Sequence, residues 1–105
     1  MRHFNPSQLK AYLEKGVQPV LLDVREPWEF KICHIAGSQL LPMHQIPYQL
    51  NNFDTKQEIV VICHHGIRSR QVGRFLETAG FTNVINLQGG LAAWATEVDP
   101  EMPVY

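Results

Sequence analysis

Residues 59–69 constrain the fold most strongly, because an apolar run there leads through a cysteine and a glycine into an amphipathic segment. Ile59–Ile62 contains only β-branched apolar residues, and such a run predicts a strand that is buried on both faces of a parallel sheet. The run ends at Cys63, and a short loop containing Gly66 follows. Apolar residues then recur at helical spacing, which predicts a helix that begins near Ser69.

A strand–loop–helix turn of this kind directs backbone N–H groups and the positive end of the helix macrodipole toward the centre of the loop. A free cysteine is only a few per cent thiolate at neutral pH. Charge-assisted hydrogen bonds, worth roughly 1.5–3 kcal/mol each, and the charge of Arg68 stabilise the anion. We therefore expect Cys63 to be a readily ionised nucleophile. The alternative is a small apolar side chain that ends a buried strand.

Length and composition exclude several classes of protein. The 105 residues predict one domain, residues 1–105, and the formal net charge of −1 gives no support for nucleic-acid binding. No apolar run is long enough to span a membrane, and residues 1–6 lack the apolar segment of a secretory signal. Two cysteines are too few for a disulfide scaffold. We expect a cytoplasmic protein without membrane or nucleic-acid partners.

Further strands are predicted at residues 20–24, 39–41 and 84–87, and helices at residues 6–15, 28–32, 44–51 and 91–95. This alternation predicts an α/β fold with an open parallel sheet and helices on both faces. In such sheets ligands bind beyond the carboxyl ends of the strands, where Asp23, Arg25 and Cys63 all lie.

Four segments resemble the single-domain rhodaneses, the thiosulfate sulfurtransferase family. They are LLDVREPWEF at 21–30, HIAGS at 34–38, CHHGIRS at 63–69, and GFTNV, LQGG and a tryptophan within 80–94. The resemblance implies a rhodanese-like open parallel five-stranded sheet flanked by helices on both faces. It also implies a persulfide mechanism without a cofactor or metal. The Cys63 thiolate takes the outer sulfur of thiosulfate, releases sulfite and passes the sulfur to cyanide or a thiol.

In that reading the loop after Cys63 binds a small anionic sulfur donor through inward-facing N–H groups. The residues that it contributes are His64, His65, Gly66, Ile67, Arg68 and Ser69. Arg68 either adds a permanent charge or is solvated, and Ser69 either caps the helix or bonds the sulfur. We expect Asp23 and Arg25 to support the loop as an ion pair.

The spacing of the loop separates two branches of the family. Four residues lie between Cys63 and Arg68. This spacing is similar to that of sulfurtransferases, whereas the related phosphatases and arsenate reductases have one residue more. The phosphatase alternative is therefore disfavoured.

Two positions depart from the family pattern. His64 follows the cysteine where a basic residue is common, and a mostly neutral histidine predicts that thiosulfate is a poor substrate and that a persulfide is the true donor. Cys33 stands where the family usually has glycine. Its thiol could pair with Cys63, resolve the persulfide or pack in the core, and we favour packing.

Metal binding and a non-catalytic interaction role are alternatives to sulfur transfer. The cysteines and histidines lack zinc-knuckle spacing, so we expect no metal site. A non-catalytic interaction module is the main alternative. The intact Cys63 loop argues against it, because docking a partner needs no thiolate. Arg70 and Arg74, one helical turn apart, form either a docking patch for a sulfur-accepting protein or a solvated basic face.

Overall fold

Strands and helices alternate along the chain, and the computed structural model describes all 105 residues. The strands are β1 (Arg2–Phe4), β2 (Val20–Asp23), β3 (Gln39–Leu40), β4 (Ile59–Ile62) and β5 (Val84–Leu87). The α-helices are α1 (Pro6–Glu14), α2 (Pro27–Ile32), α3 (Ile67–Thr78) and α4 (Gly90–Glu97), and two 3₁₀ helices cover Met43–Tyr48 and Leu50–Asn52. The strands pair in parallel in the order β1-β5-β4-β2-β3, which confirms the predicted five-stranded sheet.

Strand β4 lies at the centre of the sheet and is buried on both faces. Val60 and Ile62 point into one apolar cluster, which α1 and α4 cover, while Ile59 and Val61 point into a second cluster under α3. Helices therefore cover both faces, as the apolar run predicts. None of these helices has the length and apolar character needed to cross a membrane.

The register of β2 and β4 brings the polar residues of two strands together at one edge. Asp23 is the Cα partner of Ile62, and the N–H of Val24 donates to the Ile62 carbonyl. Cys63 therefore leaves the sheet beside Asp23, at the carboxyl edge where parallel sheets bind ligands.

The structure differs from the sequence-based elements in three places. Strand β1 was not predicted, because its three residues carry too little pattern. The helix expected at 44–51 is instead 3₁₀ helix, since Pro47 lies within it and lacks the N–H that an α-helix needs. Helix α3 begins at Ile67 rather than near Ser69, because Gly66 serves as its N-cap.

Candidate active site

The Cys63 sulfur lies between the end of β4 and the N-terminus of α3, and the residue is 1% exposed. The N–H of Gly66 donates to Sγ at 3.0 Å, and the N–H of Ser69 donates at 3.3 Å. The Ser69 hydroxyl lies 3.3 Å from the same sulfur. Two N–H donors at a helix N-terminus favour negative charge on the atom that accepts them.

Two glycines give the loop its shape. Gly66 has a φ of +91°, a left-handed conformation that glycine adopts without steric cost. Gly90 opens α4, and the next N–H, from Leu91, donates to the Cys63 carbonyl at 2.9 Å. A Cβ on Gly90 would lie 2.4 Å from the carbonyl oxygen of His64, so the contact between α4 and the loop requires glycine.

Arg68 pairs with Glu29 of α2 rather than with the sulfur. Its Nη1 and Nη2 donate to the two carboxylate oxygens at 2.7 and 2.8 Å. This bidentate contact holds the pKa of Glu29 down at about 2 and raises the pKa of Arg68. The carboxylate also compensates an arginine that stands in the first turn of a helix, where the macrodipole disfavours a cation.

Asp23 and Arg25 form the expected ion pair, and both residues are completely buried. Arg25 Nε and Nη2 donate to the carboxylate of Asp23 at 2.9 and 2.8 Å. Its remaining donors bond the Cys33 carbonyl at 2.6 Å and the Tyr105 hydroxyl at 2.9 Å. Because a buried charge needs a full set of partners, this pair holds β2, α2 and the C-terminal tail in one arrangement.

His64 lies against the tail, with its ring centroid 4.2 Å from that of Tyr105. Its Nδ1 atom is buried without a hydrogen-bond partner. Burial and the neighbouring His65 lower the pKa of His64 below its ordinary value of 6.5, so the ring is neutral at pH 7. The side chains of His65 and Ile67 are exposed, and neither bonds the sulfur.

Ser69 connects the sulfur to a residue that sequence reasoning missed. Its hydroxyl donates to Oδ1 of Asn86 in β5, and Nδ2 of Asn86 lies 3.3 Å from Nδ1 of His3. The N-cap of α3 is Gly66, so the hydroxyl of Ser69 faces the sulfur instead of capping the helix. The available signal was the one polar residue inside an otherwise apolar strand, since buried polar groups need partners.

Two further residues of the site were also missed. The Tyr105 hydroxyl donates to Oε2 of Glu29 at 2.7 Å and accepts from Arg25. Glu29 lies on a short helix and is 4% exposed, although glutamate is almost never fully buried unless it is paired. Tyr105 lies in an irregular tail, where no local pattern indicates a contact with the site.

Cys33 and Cys63 lie on opposite faces of the sheet. Cys33 packs in the cluster under α1 and α4, Cys63 belongs to the cluster under α3, and both thiols are free. This placement agrees with the packing role favoured for Cys33. No three histidine, cysteine or carboxylate side chains are arranged to hold a metal ion.

Comparison with known proteins places the chain in a family. The rhodanese-like domain family matches residues 5–97. Thiosulfate sulfurtransferase GlpE of Pseudomonas fluorescens is 34% identical over 96 residues, which cover 91% of this chain and 86% of that protein. The probable adenylyltransferase/sulfurtransferase MoeZ of Mycobacterium tuberculosis is 36% identical over 102 residues, or 95% of this chain, but the chain spans only 26% of that protein.

The fold comparison agrees with the sequence comparison. The crystal structure of a rhodanese-like domain protein from Staphylococcus aureus superimposes with a TM-score of 0.86 and 32% identity, covering 93% of this chain and 95% of the other. The family match, the GlpE relatives and the shared fold all cover most of the chain. The chain therefore belongs to the rhodanese-like domain family.

Proposed function

We propose that this chain transfers a sulfane sulfur from thiosulfate or another persulfide donor to a thiophilic acceptor, through a persulfide on Cys63. The observation that carries the proposal is the contact of the Cys63 sulfur with the N–H groups of Gly66 and Ser69. Such surroundings support a thiolate nucleophile and, one atom further out, an anionic persulfide. The relatives named as sulfurtransferases support the same class of reaction.

Two displacements make up the proposed reaction. The Cys63 thiolate first attacks the outer sulfur of thiosulfate, the sulfur–sulfur bond of the donor breaks, and sulfite leaves with the electron pair. Cyanide or a thiolate then attacks the outer sulfur of the persulfide, and Cys63 leaves as the thiolate. Neither step needs an external oxidant or reductant, so the reaction runs without a cofactor.

The charges around the loop bear on the choice of donor. Arg25 is paired with Asp23, and Arg68 is paired with Glu29, so these permanent charges largely cancel. His64 adds no charge at pH 7 because its pKa is lowered. Among the groups that surround the sulfur itself, backbone N–H groups and the helix macrodipole therefore provide most of the attraction for an anion. We propose that thiosulfate is a weak donor and that a persulfide serves better.

Intact-mass measurement tests the proposal. We expect the protein to gain the mass of one sulfur atom on incubation with thiosulfate or a low-molecular-weight persulfide, and to lose it on addition of cyanide. Cys63→Ser gains nothing, whereas the matched control Cys33→Ser gains the sulfur as the unsubstituted protein does. A protein that stays unmodified with both donors contradicts the proposal and favours the non-catalytic interaction module.

A further inference from the structure

A polar groove lies beside the Cys63 loop, between α3 and the edge strand β1. Its volume is about 380 Å³, and no aspartate or glutamate lines it. The polar side chains that line it belong to His3, His65, Arg70, Arg74, Asn86 and Gln88. The groove is therefore cationic, although the chain as a whole has a formal net charge of −1.

The two arginines of the groove are the unpaired arginines of the molecule. Arg2 pairs with a carboxylate at 2.8 Å, Arg25 at 2.8 Å and Arg68 at 2.7 Å. Arg70 and Arg74 form no ion pair, and their guanidinium groups make no hydrogen bond within the chain. Guanidinium groups bind carboxylates and phosphates through paired N–H donors, so two free ones beside a concave surface form a site for such anions.

The groove shares residues with the surroundings of the Cys63 sulfur. Gly66 lines the groove, and its N–H donates to the Cys63 sulfur at 3.0 Å. Asn86 also lines the groove and accepts from Ser69, whose hydroxyl lies 3.3 Å from the sulfur. A ligand held by Arg70 and Arg74 therefore lies against residues that contact either the Cys63 sulfur or its neighbour Ser69.

On the basis of the proposed function, we propose that this groove binds the anionic part of a low-molecular-weight thiol that accepts the sulfur. The thiol carries carboxylate or phosphate groups, which Arg70 and Arg74 hold. The groove has the volume of a small-molecule site, whereas a protein acceptor needs a face of roughly 800 Å² on each partner. The ligand is also larger than thiosulfate, because the arginines occupy successive helical turns.

The transfer step follows from this placement. The bound thiolate attacks the outer sulfur of the Cys63 persulfide and forms a new sulfur–sulfur bond. The bond between that sulfur and Sγ breaks, and Cys63 recovers its thiolate. The product is the persulfide of the acceptor, so electrons and charge balance without a further reactant.

Single-turnover kinetics with two thiols test the proposal. The Cys63 persulfide is formed first, and its loss is followed by mass with mercaptosuccinate, a thiol with two carboxylates, or with neutral 2-mercaptoethanol. We expect the double variant Arg70→Gln/Arg74→Gln to lower the rate constant for mercaptosuccinate by roughly tenfold and to leave that for 2-mercaptoethanol almost unchanged. Lys10→Gln/Lys15→Gln removes one charge from α1 and one from the C-cap of that helix, on the other face, and is expected to change neither.

A binding measurement separates this inference from the proposed function. Mercaptosuccinate is titrated into Cys63→Ser, and the NMR signals of the Arg70 and Arg74 Nε–H groups are followed. We expect saturable shifts of these signals and of the backbone N–H signals of Gly66 and Gly89, which line the same groove, and we expect the arginine double variant to lose the backbone shifts. Persulfide formation without these shifts, with both thiols equally affected by the variant, overturns the groove site and leaves sulfur transfer standing. Saturable shifts without any persulfide in the unsubstituted protein support the anion site but overturn its role in sulfur transfer.

Discussion

The Ser69 hydroxyl has one hydrogen and two neighbours that compete for it, the Cys63 sulfur and Oδ1 of Asn86. While the sulfur carries a proton, the Ser69 hydroxyl donates its hydrogen to Oδ1 of Asn86. Once the sulfur is a thiolate, it is the stronger acceptor for the hydroxyl hydrogen of Ser69. A rotated Asn86 amide can then donate an Nδ2–H to the serine oxygen. An amide carries both a donor and an acceptor, so Asn86 suits both protonation states. We therefore expect Asn86 to act as a positioning residue through Ser69.

Substitution of Asn86 tests this role. Asn86→Asp places a carboxylate that accepts the Ser69 hydrogen and repels a thiolate, so we expect Cys63 to react with iodoacetamide roughly tenfold more slowly at pH 7. Asn86→Leu introduces no charge and is expected to slow the reaction less. Alkylation is measured by mass in a Cys33→Ser background, so that Cys63 is the only thiol that can be alkylated. Asn52→Asp adds the same charge at an exposed position, and equal rates for all variants contradict the role.

A permanent charge at position 64 tests the electrostatics of the loop. His64 is neutral at pH 7 because its pKa is lowered, and Arg25 and Arg68 are paired with carboxylates. We expect His64→Arg to raise kcat/KM for thiosulfate on the order of tenfold, the effect of one additional charge-assisted contact with the anion. Thiocyanate formation measures the rate, and His44→Arg, at an exposed position, is the matched control. An unchanged or lower kcat/KM contradicts the prediction.

At the scale of elements, the first turn of α4 fixes the carbonyl groups of the Cys63 loop through Gly90. Gly90 and Gly37 both have positive φ values, +61° and +85°, but a Cβ on Gly37 meets nothing within 4 Å. We expect Gly37→Ala to lower the free energy of unfolding by about 1 kcal/mol, the cost of the left-handed conformation alone. Gly90→Ala is expected to cost at least about 2 kcal/mol more, because its methyl group meets the backbone of the loop.

Urea unfolding of the two glycine variants measures the difference. The rate of Cys63 alkylation provides a second measurement, since displacement of the loop carbonyls also moves the N–H groups of Gly66 and Ser69. We expect only Gly90→Ala to change that rate. Equal costs for the two variants contradict a close contact between α4 and the loop.

The strands and helices that the sequence predicts correctly are those with a strong local pattern of apolar residues. The apolar run Ile59–Ile62 and the helical repeat after it predict β4, α3 and the sulfur between them, because burial on both faces leaves a clear periodicity. Strand β1 has three residues at the edge of the sheet, which is too short for such a signal. The helix expected at 44–51 is a 3₁₀ helix over Met43–Tyr48, because Pro47 lies within it and lacks the N–H that an α-helix needs.

Local sequence patterns do not predict contacts between residues that are distant in the sequence. Arg68 and its partner Glu29 are 39 residues apart, and Glu29 and Tyr105 are 76 residues apart. Sequence reasoning identified Arg68 as a charge at the loop but could not identify its partner, because pairing depends on where α2 and α3 lie in the folded chain. The net charge that a bound anion meets therefore cannot be predicted from the sequence, because it depends on these pairs.

At the scale of the whole molecule, Glu29 joins three separate parts of the chain. Its carboxylate accepts from Arg68 of α3 and from Tyr105 of the tail, and it lies itself on α2. Its pKa is lowered from 4.5 to about 2, chiefly by Arg68. Burial first, and the bond to Glu29 second, raise the pKa of Tyr105 from 10.0 to about 12. The ionised form of Glu29 and the neutral form of Tyr105 therefore stabilise the folded state.

The sign of each effect follows from proton linkage. Glu29 binds a proton less readily in the folded state, so its stabilisation is present above pH 4.5 and is lost as the pH falls toward 2. His64 also binds a proton less readily when folded, and stability therefore falls below pH 6.5. Tyr105 holds its proton more tightly when folded, so stability falls as the pH rises from 10 toward 12. We expect a plateau of stability between about pH 6.5 and 10, with a decline on either side.

Urea unfolding across this range tests the network, with Glu29→Gln and Tyr105→Phe as the variants. Between pH 6 and pH 3, the advantage of the unsubstituted protein over Glu29→Gln is expected to shrink by about 2 kcal/mol, because its unfolded state takes up the proton first. Tyr105→Phe is expected to flatten the decline above pH 10, since it has no hydroxyl to ionise. Glu14→Gln and Tyr48→Phe make the same changes at exposed positions and should keep the pH profile of the unsubstituted protein. Should Glu29→Gln also keep that profile, the carboxylate does not join the three parts of the chain as its contacts indicate.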